Sequence, residues 1–245
     1  VAVLRTFTVA DLPQLLDLSF SANWNQLEQD WRNLLSLAPA GCIGVEEDGR
    51  IVASATGVAY GGELAWIGMV LTRPECRGRG YASQLMRQLL EHLQTPCIKL
   101  DATDLGRPIY EKLGFVEEYV VERWMGQLPA APVITYPPDL ELDRLAFGAD
   151  RSALLPLLGA SRPGRVAHYL GPIVARTPVE ARARIEGSGA AGTVYWDIPV
   201  PNPQATALAA ELGFTPVRRL WRMRRGTPIQ ERPDLVYALA GFEWG

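Results

Sequence analysis

Arg77-Gly78-Arg79-Gly80-Tyr81-Ala82 stands between an apolar strand-like run, Leu64 to Leu71, and a helix-like run, Ser83 to Leu93. Two glycines at such a junction let the main chain bend through conformations closed to other residues and turn its N–H groups outward. The helix that follows brings the positive end of its dipole to the same point. Arg73, Arg77 and Arg79 add guanidinium donors suited to phosphate oxygens. The stretch reads as a diphosphate cradle, against the plainer alternative of a tight turn with solvated arginines. A Walker loop is excluded, because no Lys-Ser or Lys-Thr pair occurs. As a dinucleotide fingerprint it is incomplete: Ser83 stands where the third glycine belongs, although Asp101 lies near the acidic position.

Working outward, Val3 to Phe7 reads as a strand, and Asp11 and Pro13 open a helix running through Leu18. A second helix spans Leu27 to Leu37. Gly41 to Glu46 and Arg50 to Ala59 form a hairpin about Glu47-Asp48-Gly49. After the glycine loop and its helix come a strand from Cys97 to Asp101, a short helix from Pro108 to Leu113 stopped by Gly114, and a last strand from Val116 to Met125. The order β-α-α-β-β-β-loop-α-β-α-β predicts an α/β fold, a mixed sheet with helices on its faces.

The second informative stretch is Thr103-Asp104-Leu105-Gly106-Arg107-Pro108-Ile109-Tyr110-Glu111-Lys112-Leu113-Gly114-Phe115. Together the two stretches resemble the GCN5-related N-acetyltransferase (GNAT) family. That family carries R/Q-x-x-G-x-G/A between its fourth strand and third helix, matched by Arg77, Gly80 and Ala82. Its Asn-x-x-Ala-x-x-Leu-Tyr-x-x-x-Gly-Phe segment is matched at Tyr110, Gly114 and Phe115, with Thr103 for the Asn and Gly106 for the Ala. The resemblance covers residues 3–126.

Pro129 to Pro138 reads PAAPVITYPP, and four prolines in ten residues exclude a helix interior or a central strand. The expected organisation is a catalytic domain over 1–128, an extended linker over 129–138, and a second domain over 139–245. Asn202 to Phe214 aligns without a gap on residues 103–115, and arginines, Arg123 and Arg222, stand eight positions beyond each Phe. The chain thus reads as a tandem repeat of one architecture. The repeat drops the chemistry. Ala209 takes the place of Tyr110, and Thr177-Pro178-Val179-Glu180 reads as a self-capped helix start where the glycine loop would be. The second half is expected to bind no acyl-CoA in the usual mode.

The resemblance implies acetyl-CoA as cosubstrate, without a metal, and transfer of the acetyl group to a primary amine, with a small molecule as the leading acceptor. A protein amine and a non-catalytic acyl-CoA sensor are the alternatives. It implies that Gly78, Arg79, Gly80, Tyr81 and Ala82, with Arg77, hold the diphosphate. The pantetheine arm would follow Met69, Val70, Leu71 and Thr72 on a strand splayed from its neighbour, where a free N–H of Met69 or Val70 polarises the thioester carbonyl. Tyr110 is the candidate for protonating the departing thiolate, because a phenol and a thiol have neighbouring pKa values. Glu63 and Asp101 are the candidate bases, each weighed against a role as an edge residue or cap. Asp101 has a second candidate role, holding Thr103 in place. Trp24 and Asn25 are candidates to face the acceptor, and the apolar tail Leu235 to Trp244 is expected against the second half or a subunit partner.

Composition sets the outer limits. A net charge of −3 without a basic tract argues against nucleic acid as a partner. No apolar run suits a membrane span, and the N-terminus lacks a signal-peptide pattern. Three scattered cysteines, Cys42, Cys76 and Cys97, form no disulfide or zinc pattern and fit a cytoplasmic location. His92 and His168 lack local partners and read as packing or surface residues. A homodimer is a candidate assembly.

Overall fold

The computed structural model describes residues 1–245. In chain order the elements are β1 (Ala2–Thr6), α1 (Leu12–Ser21), α2 (Glu28–Leu37), β2 (Cys42–Glu47), β3 (Arg50–Tyr60), β4 (Leu64–Thr72), α3 (Tyr81–His92), β5 (Cys97–Ala102), α4 (Arg107–Lys112) and β6 (Val116–Leu128). The second half adds α5 (Leu140–Phe147), α6 (Leu155–Leu158), β7 (Ser161–Arg162), β8 (His168–Leu170), β9 (Ile173–Val174), α7 (Pro178–Glu186), β10 (Gly192–Pro199), α8 (Pro203–Glu211), β11 (Thr215–Gly226) and β12 (Val236–Ala238). No helix is long and apolar enough to cross a membrane.

Ten strands form one mixed sheet in the order β1-β2-β3-β4-β5-β11-β6-β10-β8-β7. The order of β6 and β11 differs from a simple tandem. The strand read as the end of the first half does not pair with β5. Instead β11 lies against β5, and β6 lies against β10. Each half completes its sheet with the other half's last strand, and the two exchanged strands pair along their length.

The exchange explains the repeated arginines. Arg222 faces Asp101 across the β11–β5 ladder and binds both carboxylate oxygens, at 2.9 and 2.8 Å. Arg123 faces Asp197 across the β6–β10 pair in the same way, both contacts at 2.7 Å. Burial alone would lower both arginine pKa values, but the facing carboxylates hold them above the usual value. A buried pair of this kind adds little net stability over apolar residues, yet losing one partner leaves an uncompensated charge.

Four apolar cores cover the sheet. α1 and α2 pack on one face of the first half, with Leu12, Leu15, Leu18, Trp31 and Leu34 buried. α3 and α4 pack on the other through Leu85, Met86, Leu89 and Tyr110. α7 and α8 cover β10 through Ala181, Ile185, Ala205 and Leu208, and a smaller cluster lies under α5.

The C-terminal tail packs on both halves. β12 pairs with β9 and places Tyr237 and Ala238 in the core of the second half, as expected, and the residues that follow cross to β3 and β4 of the first half. The Trp66 Nε1–H donates to the Phe242 carbonyl at 2.9 Å, and the Tyr60 hydroxyl donates to the Trp244 carbonyl at 3.0 Å. Gly68 permits this approach, since a Cβ there would lie 2.8 Å from Glu243 Cα. The proline-rich stretch lies along the second half, where the Ile134 N–H donates to the Gly187 carbonyl.

Candidate active site

Gly78 and Gly80 have φ of +77° and +84°, in the left-handed region that favours glycine. A Cβ at either would meet nothing within 4 Å, so the space over the loop is open. Gly80 is the N-cap of α3, and no side chain caps that helix. The N–H groups from Gly78 to Ser83 make no hydrogen bond within the protein. Free donors, open space and a helix N-terminus together fit an anionic diphosphate.

The arginines of this region divide. Arg77 is exposed and forms no ion pair. Arg79 reaches both oxygens of Glu47 at 3.2 and 3.0 Å, and the Tyr81 hydroxyl donates to the same carboxylate. Arg73 is not a phosphate donor: it is 3% exposed, donates to the Ile51 carbonyl at 2.8 Å and pairs with Asp17 at 2.5 Å.

β4 carries the next part of the site. Its parallel pairing with β5 covers only Leu64 to Trp66, so from Ile67 onward the edge facing β5 has no strand partner. Met69 adopts φ +50°, uncommon for a non-glycine residue, at a bulge where two residues of β4 oppose Ala55 of β3. The Ser54 hydroxyl holds this bulge by donating to the Met69 carbonyl at 2.8 Å. Leu71 and Thr72 continue the strand toward the glycine loop.

The splay opens into a cavity of about 370 Å³ walled by both halves. Met69, Val70, Thr103 and Tyr110 line it from the first half, and Tyr169, Tyr195, Arg218, Phe242 and Glu243 from the second. Tyr110 packs edge-on against Phe115, with ring centroids 6.1 Å apart, and its hydroxyl makes no hydrogen bond to the protein. Burial pushes its phenol up to about 12. Thr103 Oγ1 accepts the Gly106 N–H at 3.2 Å and so shapes the turn before α4.

The two carboxylates read as candidate bases do not meet the reacting region as such. Asp101 borders the cavity, but its side chain is fully buried and both oxygens are bound by Arg222. Glu63 precedes β4 at the end away from the bulge, in a separate hollow with Glu141 and Arg144. Trp24 and Asn25 both border the cavity, but the Asn25 amide is committed elsewhere. It donates to the Ala167 carbonyl and accepts the N–H groups of Val166 and Ala167, tying the first half to the second.

The residues missed in the sequence come from the second half. Glu243 is buried at the splay: Arg162 binds one oxygen at 2.8 Å, and the other has no partner. Burial raises its pKa, Arg162 draws it back, and Asp30 adds to the rise. Nothing local in the sequence marks Glu243, since its place depends on the tail crossing to β4.

Comparison with known proteins agrees with this arrangement. Residues 9–115 match the acetyltransferase (GNAT) family and residues 158–238 match an acetyltransferase (GNAT) domain. The holothin acyltransferase of Pseudoalteromonas sp. (strain SANK 73390) is 35% identical over 228 residues, covering 79% of this chain and 78% of that protein. A crystal structure of a Pyrococcus horikoshii protein provisionally assigned as an acetyltransferase superposes with a TM-score of 0.86 at 25% identity. It covers 100% of this chain and 96% of its own. A tandem GNAT protein from the clavulanic acid biosynthesis pathway shares the fold, with a TM-score of 0.61 at 15% identity over 93% of this chain and 99% of its own. Free amides over an open glycine loop, a splayed β4 and two matched domains lead to one conclusion: the chain belongs to the GNAT family of acyltransferases, in a tandem form.

Proposed function

We propose that the protein transfers an acetyl group from acetyl-CoA to a primary amine of a small molecule. The observation that carries the small-molecule reading is the cavity: about 370 Å³, walled by both halves, it suits a small acceptor rather than a protein surface. A relative named for acylating an acceptor, holothin, is consistent with it.

In the reaction the neutral amine nitrogen bonds to the thioester carbonyl carbon. The C–S bond breaks with its electron pair going to sulfur as a thiolate, and the proton released by the nitrogen passes to solvent water. Gly78 to Ala82 and Arg77 hold the diphosphate at the far end of the cosubstrate. The bulge at Met69–Val70 aims main-chain donors of β4 at the thioester carbonyl, where negative charge develops. Tyr110 acts at the sulfur. Burial raises its phenol to about 12, which favours the protonated form able to donate to the departing sulfur. Tyr110 donates a hydrogen bond to the thiolate as it forms, the position from which it would also protonate it.

Thiol release across a panel of amines tests the proposal, with turnover on at least one small amine expected. Tight acetyl-CoA binding without turnover on any amine or peptide would instead favour the sensor reading. Tyr110→Phe should lower kcat about ten- to a hundredfold, the value of a hydrogen bond to a charged group. Its acetyl-CoA affinity should be unchanged, and an unchanged kcat removes Tyr110 from the mechanism.

A further inference from the structure

Most charged groups on the cavity wall have a partner. Arg123 is bound by Asp197, Asp101 by Arg222, and Glu243 by Arg162. Arg218 makes no hydrogen bond or ion pair within the protein, yet it lines the same cavity. It stands opposite Arg123 in the β11–β6 ladder, just where that ladder shifts register after Pro216. Such an irregularity re-aims the side chains around it. Two guanidinium-bearing residues thus stand opposite each other on neighbouring strands, and the carboxylate that serves this pair, Asp197, lies on β10 beyond β6 with both oxygens bound by Arg123. Much of the Arg218 side chain is exposed, but the protein partly desolvates its head group. That desolvation and the Arg123 charge draw its pKa below the usual arginine value. The site is short of one anion.

The diphosphate of acetyl-CoA does not supply it. None of the loop residues 77–82 borders the cavity, and β11 is separated from β4 by β5. The missing anion belongs on the acceptor side. Resting on the transfer reading above, we propose that Arg218 binds a carboxylate of the acceptor, which is therefore a small amine carrying a carboxylate, an amino acid or close relative. The planar guanidinium fork matches a carboxylate in two parallel hydrogen bonds. Met125, Val217 and Leu220 beside it offer apolar surface for the body of such a molecule.

The test uses the full chain with CoA present, titrated calorimetrically with N-acetyl amino acids and their C-terminal amides as product analogues. At least one acid should bind about ten- to a hundredfold more tightly than its amide, as expected for a charge-assisted contact. Arg218→Gln should abolish that preference and leave amide affinity unchanged. Its thermal stability should also be unchanged, because Arg218 holds no partner in the protein. An acid preference absent from every pair, or one that survives in R218Q, overturns the inference. Thiol release from carboxylate-free amines judges the transfer reading separately. Turnover there by wild type and R218Q alike, with no acid preference, sinks the substrate class alone. No thiol release with any free amino acid, amino-acid amide or carboxylate-free amine sinks the transfer reading, while the calorimetric comparison still decides Arg218.

Discussion

α3 and α7 occupy corresponding places, each linking two strands that pair in parallel, β4 with β5 and β8 with β10. They begin in opposite ways. α3 starts at a left-handed glycine and leaves its first N–H groups free. α7 starts at Thr177, whose hydroxyl accepts the Glu180 N–H at 3.2 Å, while Glu180 accepts the Arg176 N–H at 2.9 Å. One helix end is open to an anion; the other is closed by its own side chains, with a carboxylate standing where a phosphate would come. The same contrast recurs at the next helix, where Tyr110 faces the cavity and Ala209 fills a core. A duplicated scaffold has kept donors in one half. The other half supplies Tyr169, Tyr195, Arg218 and Glu243 to the wall of the first half's cavity.

The largest test of this division is truncation after residue 138. If the first half were self-sufficient, it would fold and bind acetyl-CoA. The strand exchange predicts the opposite: without β11, β5 has an open edge, and β6 has no β10 to cover it. Loss of cooperative thermal unfolding is expected, and a stable, cosubstrate-binding fragment would break the comparison. Next in size is Arg222→Met, which strands Asp101 in the core and should cost about 3–5 kcal/mol in chemical denaturation. Arg123→Met should cost a similar amount through Asp197, and a large difference between the two would show that the exchanged strands are not equivalent.

The two helix starts are compared by a matched pair of variants. Gly80→Ala forces a side chain into φ +84°, a strain of about 1–2 kcal/mol. Acetyl-CoA affinity measured by calorimetry should fall about tenfold as the loop relaxes away from the required shape. Thr177→Ala should cost about 1 kcal/mol of stability and leave that affinity unchanged. A change in affinity from T177A, or none from G80A, would erase the functional difference between the ends.

Local chemistry was legible in the sequence, and long-range chemistry was not. The glycine loop, the capped α7, and the substitution of Ala209 for Tyr110 depend on neighbours within a few residues, and a local pattern reveals them. Arg123 and Arg222 were visible as a repeat, but their partners were not, because Asp197 and Asp101 meet them only through strand exchange. Arg73 looked like its neighbours Arg77 and Arg79. Only the fold shows that it turns inward to Asp17 and the Ile51 carbonyl. Glu63 adjoins β4, but direction along a strand decides reach, and the splay lies at the far end of β4. Glu243 and Arg218 lie outside both motifs and reach the cavity from the tail and from β11.

The exchanged strands also order events during synthesis. β5 ends at Ala102, but the strand that covers its edge is complete only at Gly226, more than a hundred residues later. While the ribosome makes that interval, the nascent first half holds an uncovered β5 and a detached β6. Contacts so distant along the chain form slowly, and an open edge invites pairing with other chains. The half that carries the open glycine loop is the first made and among the last completed, so its maturation waits on the half that lacks such a loop.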